Sequence, residues 1–128
     1  MTVTTSQDRA LNGVGSQRVN LLQLNPYGAK TAKNYLNPAA FALPALGTFG
    51  NTGVGSIAGP GSWQFDTALS RTFQFRETQR LEFRAEAFNI TNSLRMNDPT
   101  TNFNSGIFGQ VTSAQDPRIM QFALKYFF

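Results

Sequence analysis

The 128-residue sequence predicts an all-β chain of antiparallel strands joined by long irregular loops, and three observations carry that prediction. Within residues 62–128, three stretches alternate apolar and polar side chains, the period of a strand with two unlike faces. Phe is the dominant large apolar residue, with 12 copies, while charged residues make up only 14%. Gly (11) and Pro (6), with many Asn, Thr and Ser, break the remainder into pieces too short for amphipathic helices.

Residues 1–61 read as a loop region, with the end of a strand at 2–5. Breakers from Gly13 and Gly15 through Pro26, Pro38 and Pro44 to Gly59, Pro60 and Gly61 leave no room for a helix of ordinary length. A short helical turn fits at Asn37-Pro38-Ala39-Ala40-Phe41, where Asn37 can cap and Pro38 suits the first position. The run Gly53-Val-Gly-Ser-Ile-Ala-Gly-Pro-Gly reads as a flexible loop. It lacks the Gly-Lys-Ser/Thr ending of a phosphate loop, and Pro60 blocks a following helix.

The first long strand spans 63–75, with Trp63, Phe65, Leu69, Arg71, Phe73 and Phe75 among its odd-numbered face. Arg76 to Gln79 is a tight polar turn. The second strand, 80–90, places Leu81, Phe83, Ala85 and Ala87 opposite Glu82, Arg84 and Glu86. A loop at 91–117 follows, marked by Asp98-Pro99, Ser105-Gly106 and Asp116-Pro117. The last strand, 118–128, carries Met120, Phe122, Leu124, Tyr126 and Phe128 on one face and Gln121, Ala123 and Lys125 on the other.

Composition narrows the chemistry. With no Cys and no His, the chain offers no disulfide, no thiolate metal site and no imidazole base, so the expectation is a protein that is not an enzyme, without cofactor, metal or catalytic residue. The net charge is +4, but the eleven Lys and Arg are dispersed, and no nucleic-acid partner is expected. Glu82 and Glu86 lie four apart on one strand, roughly 13 Å by the rise per residue. That is too far for a glycosidase pair at about 5–10 Å. With Arg84 between them they form a charged ladder instead. Asp66, Asp98 and Asp116 lack the dense spacing of a calcium loop. Asn89-Ile90-Thr91 fits a glycosylation acceptor only formally.

Strand length and connection length together point to a membrane. Strands of about ten residues exceed the globular mode of about five or six and match the nine to eleven that cross a bilayer at a tilt. A short turn at 76–79 between long segments at 1–61 and 91–117 gives the alternation of tight periplasmic turns and long extracellular loops found in outer-membrane barrels. The expected fold is therefore the C-terminal part of a transmembrane β-barrel. In that arrangement Glu82, Arg84 and Glu86 face the lumen, because charges on the lipid side would cost about 2–4 kcal/mol each at mid-depth. Trp63, Phe73, Phe75, Tyr126 and Phe128 fit interfacial girdles. The alternative is a small soluble all-β binding or adhesion module.

The segment Arg80-Leu-Glu-Phe-Arg-Ala-Glu-Ala-Phe-Asn-Ile-Thr-Asn resembles the penultimate strand of TonB-dependent outer-membrane receptors, closest to the Oar-like group with a carboxypeptidase-regulatory-like domain. Asn37-Pro-Ala-Ala-Phe-Ala, Gly47-Thr-Phe-Gly-Asn, Gly59-Pro-Gly-Ser-Trp-Gln-Phe-Asp, Ile107-Phe-Gly-Gln-Val-Thr and Asp116-Pro-Arg-Ile-Met-Gln-Phe-Ala-Leu-Lys-Tyr-Phe-Phe are similar to that group as well. The resemblance implies a transport function in a Gram-negative outer membrane. It also implies outer-membrane lipid, the remainder of a parent barrel and TonB, acting through an N-terminal part absent here, as partners. It makes Met120, Phe122, Leu124, Tyr126 and Phe128 the signal read by the barrel-assembly machinery. Residues 1–8 contain no apolar signal-peptide core, so the expectation is a C-terminal piece of a longer protein.

Overall fold

In the computed structural model all 128 residues are described, and they divide into two compact units. Met1–Gly61 with Met96–Ala114 form the first, and Ser62–Arg95 with Gln115–Phe128 the second.

The first unit is built from strands as short as its breakers require. They are β1 (Thr4–Thr5), β2 (Gln17–Arg18), β3 (Asn20–Leu21), β4 (Tyr27–Thr31), β5 (Asn34–Leu36) and β6 (Phe41–Ala42). All pair antiparallel, β1 with β2, β3 with β6, and β4 with β5. Between β5 and β6, Pro38–Ala40 makes one 3-10 turn, and the Asn37 side chain accepts the Ala39 N–H at 3.1 Å, as the sequence suggested.

These fragments enclose a core, which the loop reading of 1–61 did not anticipate. Val3, Val19, Tyr35, Leu36, Ala40, Phe41, Ile57, Phe108 and Val111 are buried together. Phe41 and Phe103 each meet Phe108 edge-on, at centroid distances of 5.4 and 5.2 Å. The Gly53–Gly61 run is anchored rather than free, because Ile57 sits in this core and its N–H donates to the Met1 carbonyl at 3.3 Å. Periodicity missed the core because it is assembled from single apolar residues carried by separate turns.

Two glycines make the packing possible. A Cβ on Gly50 would stand 2.2 Å from the Arg18 carbonyl oxygen. Gly109, at φ +74°, brings its carbonyl to the N–H groups of Tyr35 (2.9 Å) and Leu36 (3.2 Å), and a Cβ there would lie 2.6 Å from the Leu36 oxygen.

The second unit is a three-stranded antiparallel sheet in the order β7 (Thr67–Gln74), β8 (Arg80–Phe88), β9 (Ile119–Phe127). The expected order and turn are present, with Phe75 and Arg76 N–H groups both donating to the Gln79 carbonyl. The strands are shorter than 63–75, 80–90 and 118–128, for local reasons. At the start, Asp66 caps the Asn89 N–H and the Phe65 carbonyl takes the Ile90 N–H, so Trp63–Asp66 lie outside the ladder. At Asn89 the backbone turns left-handed (φ +50°), which ends β8. Phe128 follows the last paired residue, Phe127.

Candidate functional site

The sheet's register decides which side chains share a surface. Thr67, Leu69, Arg71 and Phe73 on β7 stand opposite Ala87, Ala85, Phe83 and Leu81 on β8, which in turn stand opposite Met120, Phe122, Leu124 and Tyr126 on β9. Side chains of directly paired residues lie on the same face, so these twelve form one surface. It is largely apolar and largely uncovered: Leu69, Phe122 and Leu124 are each between 64% and 68% exposed. Arg71 interrupts it, with its guanidinium over the Phe73 ring at 5.1 Å.

The opposite face carries Glu82, Arg84 and Glu86 in one row. Arg84 reaches Glu86 at 2.5 Å, and this is the chain's one ion pair. Glu82 is in register with Lys125 and Thr72 without pairing with either. This face also holds a feature absent from the sequence reading. Phe127 points to the ladder side, where Arg80 lies over its ring at 4.3 Å. The signal was available, since the last strand has two consecutive aromatics before its final Phe.

Of the terminal residues singled out, Met120, Phe122, Leu124 and Tyr126 line the apolar surface, and Phe128 stacks on Tyr126 at 5.9 Å, 93% exposed. Phe73, Phe75, Tyr126 and Phe128 gather at the turn end of the sheet, while Trp63 belongs to the opposite end.

That opposite end is closed by polar contacts centred on Asn89, which is fully buried. Its amide donates to the Ser93 carbonyl at 3.1 Å, and its Oδ1 accepts the Ser93 N–H and hydroxyl, both at 3.0 Å. Arg95 donates to Gln64, to Gln115 at 2.9 Å and to the Asp116 carbonyl at 2.8 Å. The Asn89 N–H, then the Gln64 amide and the positive charge of Arg95, hold the Asp66 carboxyl below its ordinary pKa. The formal glycosylation acceptor is thus a hub of backbone bonds. Beside it a cavity of about 400 Å³ opens among Gln64, Phe88, Arg95, Gln115 and Ile119.

No cluster of three His, Cys, Asp or Glu side chains is close enough to hold a metal ion. No helix is long and apolar enough to cross a membrane, which says nothing of strands. What the geometry offers is a wall: three long strands with an uncovered apolar side, a charged side and aromatics at their ends. A family model described as an outer membrane beta barrel domain matches residues 1–121. No curated protein and no solved structure matches the chain.

Proposed function

The chain belongs to the outer membrane β-barrel domain family, and from that premise we propose that it forms C-terminal wall strands of a TonB-dependent receptor of the Oar-like group. Its place is the bacterial outer membrane, and its strands are wall elements of a barrel. The observation that carries the reading is the uncovered apolar face of β7–β9. Nine residues at about 3.4 Å each, tilted about 40°, reach about 23 Å, close to the apolar band of such barrels. A soluble module would leave Leu69, Phe83, Phe122 and Leu124 in water on one contiguous surface.

In this reading Leu81, Phe83, Met120, Phe122 and Leu124 face lipid, and Glu82, Arg84 and Glu86 face the lumen, where water solvates what Arg84–Glu86 pairing does not. The row Met120, Phe122, Leu124, Tyr126 and Phe128 serves the assembly machinery by strand addition, its alternate side chains filling apolar sites. The receptor assignment rests on the resemblance of Arg80–Asn92 and of the flanking segments. Energy coupling through TonB belongs to parts of such a receptor outside these 128 residues.

Single-tryptophan variants test the wall. In a Trp63→Phe background inserted into vesicles with acyl-brominated lipids, Phe122→Trp and Leu124→Trp are strongly quenched and Gln121→Trp and Ala123→Trp weakly. Equal quenching at all four sites rules out lipid on one face only. For the assembly role, deleting Phe128 lowers the amount of protein inserted in the producing cell's outer membrane; an unchanged amount removes that part of the reading.

A further inference from the structure

The first unit contains a cavity of about 330 Å³ between the β4–β5 hairpin and residues 103–110. Phe103 gives it an aromatic wall over the buried Leu36 and Phe108, and Lys33, Asn34 and Gln110 supply polar groups. The floor is fixed before any ligand arrives. Leu36 is 1% exposed, Phe108 is buried against Phe41 and Phe103, and Gly109 ties the two walls through its carbonyl. An open concavity of this size that sets polar groups beside an aromatic ring suits a small amphipathic molecule.

Charge selects the ligand. This unit has four cationic side chains, Arg9, Arg18, Lys30 and Lys33. Arg9 donates to the Pro44 carbonyl at 2.8 Å and Arg18 to the Thr52 carbonyl at 3.0 Å. Lys30 lies over the Tyr27 ring at 4.6 Å. Lys33 alone has no ion pair, ring or hydrogen-bond acceptor, and it stands at the cavity. No acidic side chain lines the cavity, so nothing there neutralises it. The side-chain amides of Asn34 and Gln110, which also line the cavity, donate no hydrogen bond within the protein.

We propose that this cavity binds a small monocarboxylate with an aromatic body, the carboxylate on Lys33 and the amides of Asn34 and Gln110, the ring against Phe103. The Lys33 turn then sets selectivity for the anion, and Phe103 sets selectivity for the body. A neutral aromatic lacks the charge-assisted contact, and a bare carboxylate lacks the apolar one.

The test uses the full chain in detergent micelles, titrated calorimetrically with phenylacetate, phenylacetamide and acetate. Phenylacetate binds saturably, and the other two bind at least about tenfold more weakly, the worth of one charge-assisted contact. Lys33→Met lowers phenylacetate affinity by about the same factor and leaves phenylacetamide unchanged. Gly106→Trp covers the opening, because a side chain there meets open space and its backbone tolerates one, and it abolishes binding of both. Circular dichroism establishes that each variant is folded. Absence of saturable phenylacetate binding, equal affinity for acetate, or wild-type affinity in both variants overturns the proposal. The lipid-quenching pattern on β9 is read separately, so failure of the barrel reading and failure of this site are distinguishable.

Discussion

In the unit made of residues 1–61 and 96–114, Tyr35, Phe41 and Phe103 pack inward with Phe108; in the unit made of 62–95 and 115–128, Phe73, Phe75, Phe122 and Tyr126 turn outward. Phe108 is 8% exposed and Phe122 is 64% exposed, although both are phenylalanines in one chain. The first unit covers Tyr35, Phe41 and Phe108 with its own side chains and leaves Phe49 outside. The second, a single layer of three strands, leaves Leu69, Phe122 and Tyr126 each more than half exposed. The two units satisfy their apolar side chains differently: the compact one by packing around Phe108, the sheet by offering one face to hydrocarbon.

The sharpest way to break this contrast is to truncate the same residue in both places. Phe108→Ala should destabilise the first unit by about 3–5 kcal/mol, seen as lost amide-exchange protection at Tyr35, Leu36 and Val111. Phe122→Ala, in micelles, should cost about 1 kcal/mol or less, since what is lost is cross-strand contact with Ala85 opposite and with the diagonal Phe83 ring at 6.5 Å. Comparable losses would end the contrast between an inward core and an outward face.

A charge sharpens it from the other direction. Leu124→Arg should cost about 2–4 kcal/mol for insertion into vesicles if that position lies near mid-depth. The same change at Ala123, on the ladder face, should cost much less. Folding yields into lipid measure both, and equal yields would place the two faces in one environment.

The smallest effect concerns acid. Asp8 in the first unit is partly desolvated, which by itself would raise its pKa. The N–H groups of Gly13 and Asn12 and the amide of Gln17 outweigh that and hold it below the ordinary 3.8. Because the folded value is the lower one, this stabilisation is complete above the ordinary value and is lost as pH falls through the folded one. Asp8→Asn should remove that acid-side dependence of amide protection around Gln17, and an unchanged pH profile would assign it elsewhere.

The sheet was legible in the sequence because its information is periodic. Alternation from Leu81 to Ala87 and from Met120 to Tyr126 places every side chain on the face where the register puts it. Its ends were less legible, because Asp66 and Asn89 terminate the ladder through contacts between residues far apart in the chain. The compact unit was hardly legible at all. Val3, Ile57 and Phe108 each look like an isolated apolar residue among turn formers, and only tertiary contact makes them a core. The free ammonium of Lys33 was invisible for the same reason, since it is distinguished by what Arg9, Arg18 and Lys30 are already holding.

The order β7-β8-β9 has a consequence that is a matter of parity. With β8 antiparallel to both neighbours, β7 and β9 run in the same direction, so the two free edges of the sheet have the same polarity. An all-antiparallel ring can join such edges only through an odd number of further strands, giving an even total. The sheet is thus an arc whose complement is fixed in number modulo two. One added strand, or three, or nineteen, closes the circle; two would bring parallel neighbours together.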